Sequence, residues 1–225
     1  MSLLNPVVSA FTITSATPVE VYVCPAGKTH AIVDLSFLKD DLTTSSLIAV
    51  YLAAESNPAA LTSVDSFIDD IELVGTQNSV ELSKVVVGQG QRLYVGLVTG
   101  TAISVRVSGM EENNAFILGA GRLAASSVAG TAQVQLWHNN APTTAYASVS
   151  ITAYNSSSTT EAVTELWVSD TDTPTAARKV MNARLTPQDT TIVENVTMRP
   201  GERLYVRSSV ANAEYFVNGV IIKAA

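Results

Sequence analysis

The sequence predicts an all-β protein of two tandem antiparallel β-sandwiches related by internal duplication. Three observations predict it. Gly90-Gln91-Arg92-Leu93-Tyr94-Val95 returns as Gly201-Glu202-Arg203-Leu204-Tyr205-Val206, and upstream, at the same offset, Val80–Val87 lies over Thr191–Met198. Apolar and polar residues alternate over short segments, the period of a half-buried strand. Glycine- and proline-containing turns recur at frequent intervals, with no convincing long helix between them. A chain of 225 residues leaves roughly 110 per copy, enough for a separate core in each.

Taken in order, Met1 to Phe11 is apolar and contains Pro6, and it reads equally as an extended arm or a first edge strand, within a terminal segment 1–18. Val19, Val21 and Val23 alternate with Glu20 and Tyr22, Cys24-Pro25-Ala26-Gly27 turns the chain, and Ala31, Val33, Leu35 and Phe37 share one face. Strand, Pro-Gly turn, strand is a hairpin signature. Leu47–Leu52 is a further strand, and Ser56–Ser66 is a loop opened by Asn57-Pro58. Phe67–Leu73 fits a helical turn or a strand, and its neighbours favour the strand. Val80–Val87, Arg92–Leu97 and Ala102–Met110 complete a first sandwich over residues 19–112.

Residues 113–130, opened by Asn113-Asn114 and rich in Gly, Ala and Ser, read as a linker or a first strand, and 131–225 as the second sandwich. There Val134 and Leu136 match Val19 and Val21, Ala147–Ala153 match Ala31–Phe37, and Tyr215 and Val217 match Val105 and Val107. The turn between the repeated strands is Arg199-Pro200-Gly201-Glu202 in the second copy and keeps only its glycine in the first. Glycine survives because the corner needs a positive φ. Jelly-roll and immunoglobulin-like topologies both fit this pattern.

Composition bounds the function. The net charge of −7 is spread along the chain and argues against a nucleic-acid surface, which needs clustered Lys and Arg. Cys24 is the one cysteine, so the fold rests on packing and not on disulfides. No run of the sequence approaches a membrane span, and the start lacks the pattern of a secretory signal, so the expectation is synthesis in a cytoplasm without membrane partners.

Catalytic motifs are weak. Gly27-Lys28-Thr29 resembles the end of a phosphate-binding loop, but Tyr22 stands where its first glycine belongs; Gly88-Gln89-Gly90 lacks the third glycine of a dinucleotide fingerprint. His30 and His138 stand in no nucleophile frame, and Cys24 reads as a small hydrophobe. Asp170-Thr171-Asp172 offers two carboxylates but lacks the remaining ligands of a calcium loop. The expectation is a non-enzymatic protein with no catalytic residue, metal or cofactor.

What remains is contact. If the aliphatics mark the inner face, large aromatics fall at matching outward positions in both copies: Tyr22 with Trp137, Tyr51 with Trp167, Tyr94 with Tyr205. Aromatics beside a polar edge are favoured at protein interfaces. Together with Leu3, Leu4 and Phe11 of the terminal segment they form the candidate interface.

Val21-Tyr22-Val23-Cys24-Pro25-Ala26-Gly27-Lys28-Thr29-His30-Ala31-Ile32-Val33 resembles a stretch of accessory structural proteins of tailed bacteriophage particles. There a strand, a Pro-Ala-Gly-Lys turn and an apolar strand open a small sandwich, which closes on a Gly-(Glu/Gln)-Arg-Leu-Tyr-Val-like strand and one similar to Ile103–Met110. The second copy lacks the Pro-Ala-Gly-Lys turn. The resemblance implies a virion component made in a bacterial cytoplasm. It would be a capsid decoration or cement protein, or a neck, collar or tail part, bound to the major capsid protein or to neck and tail proteins and to further copies of itself. A carbohydrate- or receptor-binding module is the competing expectation, with Trp137 beside His138-Asn139-Asn140, or Trp167 beside Asp170, as the sugar platform.

Overall fold

The computed structural model describes residues 5–39, 41, 43–74, 79–128, 131–174, 178–211 and 213–223. The chain forms two compact units, Met1–Ala115 with Ala120–Arg122, and Phe116–Gly119 with Leu123–Ala225. The first holds β1 (Asn5–Ile13), β2 (Val19–Val23), β3 (His30–Leu38), β4 (Ser46–Ala53), β5 (Ser66–Leu73), β6 (Ser79–Gly88), β7 (Arg92–Thr99) and β8 (Ile103–Glu112). Then come β9 (Ile117–Val128), β10 (Val134–His138), β11 (Ala145–Asn155), β12 (Ala162–Ser169), β13 (Lys179–Leu185), β14 (Thr190–Met198), β15 (Arg203–Ser208) and β16 (Ala213–Lys223).

Strand order decides between the two topologies the sequence left open. The first unit has sheets β1-β8-β3-β6 and β2-β7-β4-β5, and the second has β9-β16-β11-β14 and β10-β15-β12-β13. In each unit the first strand lies beside the last, and consecutive strands alternate between sheets until the fourth and fifth. This is the eight-stranded jelly roll, drawn twice with the same order. Asn5–Ile13 is an edge strand, paired along its whole length with β8, and Ile117–Val128 is its counterpart in the second unit.

Alternation builds the cores. In β3 Ala31, Val33, Leu35 and Phe37 are buried, as are Ile48, Val50 and Leu52 of β4, Leu93 and Val95 of β7, and Val105 and Val107 of β8. The second core draws Val149 and Ile151 from one sheet and Leu166, Leu204 and Val206 from the other, closed by Met198, Tyr215 and Val217. Each buried Val, Leu, Ile, Met or Phe among these contributes about 2 kcal/mol of hydrophobic stabilisation.

The duplication reaches the irregularities. Bulges interrupt β2–β7 between Glu20 and Tyr22, and β10–β15 between Gln135 and Trp137. Others interrupt β3–β6 and β11–β14 at matched places, where Lys84 and Asn195 each take φ of +59°. Lys84 is held there by its N–H, which donates to Asp34 Oδ1 at 2.7 Å. Gly109 and Gly219 are matched as well: a Cβ on either would lie inside contact distance of a neighbouring carbonyl, Ile32 O or Ser148 O.

The expected hairpin at Cys24–Gly27 is corrected. β2 pairs with β7, whereas β3 pairs with β6 and β8, so the turn carries the chain from one sheet to the other. Its backbone groups are satisfied by other segments. Cys24 N–H donates to Gln91 O at 3.0 Å, Gly90 N–H to Cys24 O at 3.0 Å, and Thr29 N–H to Glu112 O at 2.9 Å. The repeated glycine turn is also a crossing, from β6 to β7 and from β14 to β15. Gln91 N–H donates to Gly88 O and Glu202 N–H to Arg199 O, with Gly90 at φ +73° and Gly201 at +83°.

Residues Ala120–Arg122 belong to the first unit although β9 begins and ends in the second. Gln91 Oε1 accepts from the Arg122 N–H at 2.9 Å, and Gln91 Nε2 donates to Arg122 O at 3.1 Å. The Arg122 guanidinium donates to Leu52 O at 3.1 Å and pairs with Asp65.

Candidate interaction surfaces

The first of the expected interface residues, Leu3 and Leu4, lie outside the described residues. Phe11 is half-buried opposite core residue Val105, on the inner side of β1 with Val7 and Ile13. The six repeated aromatics separate into two groups, and the bulges are the reason.

Before the bulge Glu20 stands opposite outward Tyr94, but after it Tyr22 stands opposite inward Leu93. The second unit repeats this, with Gln135 opposite Tyr205 and Trp137 opposite Leu204. One extra residue flips the face on which the next side chain falls. Tyr22 and Trp137 therefore point inward, which corrects the outward assignment. Tyr22 is buried and its hydroxyl donates to Glu111 Oε1 at 3.1 Å. Burial first, then the Cys24 and Glu111 charges, push its pKa upward. Trp137 packs against the second core.

Tyr51 with Tyr94, and Trp167 with Tyr205, are direct cross-strand pairs on the outer side. Three of these four rings are nonetheless buried, and Tyr51 is half-buried. The chain's own polar groups cover Tyr94 and Trp167. Tyr94 is wholly buried, its hydroxyl donating to Glu55 O at 2.6 Å. Trp167 lies under two cations, Lys179 Nζ at 5.2 Å and Arg207 Cζ at 5.7 Å from the ring centroid. Glu165 bridges both cations. Burial would raise the Glu165 pKa, but its bonds to Lys179 and Arg207 hold it below the usual carboxylate range.

Exposed apolar surface lies elsewhere. On the outer face of β1-β8-β3-β6, Pro6 stands opposite Met110, which stands opposite Ile32. Met110 is 46% and Ile32 39% exposed, and Val8, one row away, is 70% exposed. The sequence alone does not mark these residues, because they come from β1, β3 and β8 and only the register aligns them.

The polar groups singled out in the sequence are dispersed. Burial and the Glu111 charge push the Cys24 thiol up to about 11, away from the thiolate a nucleophile needs. His30 is buried, with Thr29 Oγ1 at 3.1 Å and Glu112 at 3.8 Å; burial lowers its pKa and Glu112 opposes this. Asp170 and Asp172 each face an arginine, Arg178 at 3.3 Å and Arg203 at 3.4 Å, and so do not converge on a cation. Among the described residues, no three His, Cys, Asp or Glu side chains come together as a metal set, and no helix is long and apolar enough to cross a membrane.

A groove of about 450 Å³ opens on the second unit, lined by Tyr146, Arg178, Lys179, Thr197, Arg199 and Glu202, with Val168 and Val180. These residues come from β11, β12, β13, β14 and the flanking turns, so no local sequence signal joins them.

No family model matches the chain, and the search of curated proteins finds no match. Among solved structures the chain is similar to the major capsid protein P2 from bacteriophage PM2, with 10% identity over 96% of this chain and 98% of that one, at a TM-score of 0.38. It is similar to the STIV MCP, with 10% identity over 99% and 97% at 0.39. It is also similar to a peptide-N(4)-(N-acetyl-β-D-glucosaminyl) asparagine amidase, with 10% identity over 98% and 96% at 0.43. Capsid proteins and an amidase thus appear side by side, and likenesses of this size carry no argument about what this chain does. The fold class rests on its own strand order: two antiparallel jelly rolls in tandem.

Proposed function

We propose that the chain is a non-enzymatic structural protein of a tailed-bacteriophage particle, fastened to the major capsid protein as a decoration protein. The observation that carries this reading is the outer face of β1-β8-β3-β6, where Met110, Ile32 and Val8 are exposed on a sheet edged by β1. Apolar side chains held in register on a sheet suit burial against a partner. The resemblance of Val21–Val33 to accessory structural proteins of tailed phages supplies the class of partner.

The test is to purify particles of the encoding phage, identify their proteins by mass spectrometry, and locate this chain with gold-labelled antibody. The reading expects the chain in the particle with label over the head. Label confined to the neck or tail would move it to a connector or tail role, and absence from the particle would end the virion reading.

A further inference from the structure

We propose that the groove on the second unit is a binding site for an acidic saccharide, a hydroxyl-bearing sugar ring that carries a carboxylate. The argument begins with charge. The chain carries a net charge of −7, yet the groove is lined by Arg178, Lys179 and Arg199 against one carboxylate, Glu202. Carboxylates outside the lining, Asp170 and Glu165, pair with Arg178 and Lys179, which leaves Arg199 as the positive charge open to an anion.

The three cations differ in how far they are already engaged. Lys179 is held by Glu165. Arg178 is shared at long range between Asp170 at 3.3 Å and Glu202 at 3.7 Å. The exposed guanidinium of Arg199 has no carboxylate partner among the described residues; it is the Arg199 backbone N–H that donates to Glu202 Oε2, at 2.6 Å. That turn fixes Arg199 and Glu202 side by side. A guanidinium presents a planar fork that matches a carboxylate bidentately.

The remaining lining selects the kind of anion. Tyr146 is 46% exposed, an amphipathic ring of the type that packs against the apolar face of a sugar. Glu202 accepts hydrogen bonds, and the Thr197 hydroxyl both donates and accepts, so the pair suits hydroxyls. Glu202 also disfavours a compact dianion such as phosphate, whereas a ring with one carboxylate and several hydroxyls meets both signs. The groove volume falls within the range of small-ligand sites.

The test is a calorimetric titration of the full chain with a uronic-acid disaccharide, its neutral glucose counterpart and inorganic phosphate. Saturable binding of the uronic acid is expected, at least about tenfold tighter than either comparator, as loss of a charge-assisted contact implies. Arg199→Gln and Tyr146→Ala should each weaken it by about tenfold or more, and Tyr146→Phe, which keeps the ring, should bind as the parent. Circular dichroism checks that each variant folds; both positions are exposed, and should Tyr146→Ala not fold, Arg199→Gln decides. No saturable binding, equal binding of the neutral sugar or of phosphate, or unchanged affinity in folded Arg199→Gln would overturn the proposal. Met110→Glu, on the first unit, should leave saccharide binding unchanged, so this test and that of particle attachment fail independently.

Discussion

A missing Cβ and a handful of charged side chains carry the sharpest expectations at the residue scale. Gly109→Ala and Gly219→Ala each drive a methyl into a carbonyl of the adjacent strand, and sheet backbone cannot give way as a flexible side chain would. We expect each to cost about 3 kcal/mol or more, read as a lower denaturant midpoint. Hydrogen exchange should show the loss centred on β1, β3 and β8 for Gly109→Ala, and on β11 and β16 for Gly219→Ala. Unchanged midpoints would mean that the strands are not in this register.

Acid should weaken the first unit in two stages. His30 is buried, so its folded pKa lies below the unfolded value of about 6.5. The neutral ring contributes stability above that pH, and it is lost as pH falls through the folded pKa. Asp65 follows at lower pH. Burial opposes its ionisation, but Arg122 and Thr62 more than compensate and depress its pKa, so its contribution is present above the ordinary carboxylate range and lost below it. Arg122→Ala should cost about 2 kcal/mol at neutral pH and flatten the acid limb of a stability–pH curve. A curve of unchanged shape would remove the pair from the account.

At the scale of strands, the bulges in β2 and β10 matter most. Alternation along Val19–Val23 and Val134–His138 identifies both strands, and the repeat identifies them as equivalents. It does not show which face Tyr22 and Trp137 take, because one bulged residue inverts everything beyond it, and a bulge is written in the pairing and not in the strand. The corners misled for a related reason. Pro25-Ala26-Gly27 and the glycine before Arg-Leu-Tyr-Val mark where the chain turns, but the same turn chemistry serves a hairpin and a crossing between sheets. With Trp137→Phe, the remaining Trp167 should show weak quenching by acrylamide, sealed as it is beneath Lys179 and Arg207. Glu165→Gln should release those cations and raise the quenching severalfold. Strong quenching in the Trp137→Phe protein itself would show the ring to be open surface.

For the molecule as a whole, repetition is the organising fact. Strand order, bulges, positive-φ positions and close-packed glycines recur in both units, while their surfaces have diverged. The first presents Val8, Ile32 and Met110 on an open sheet, and the second gathers Arg178, Arg199 and Tyr146 about a groove. The repeat and nearly all strand positions were legible in the sequence, since local periodicity encodes them. Neither surface was, because each joins residues from strands distant in the chain. On the reading proposed above, one scaffold used twice serves attachment.

Co-sedimentation with particles stripped of this protein tests that claim most directly, comparing the parent chain with Met110→Glu, a charge placed in the exposed apolar row that leaves both cores untouched. The account predicts saturable co-sedimentation of the parent chain, and for a folded Met110→Glu protein a loss of at least about tenfold, the cost of burying an unpaired charge at an interface. Equal co-sedimentation of both proteins, or none of the parent, would contradict it.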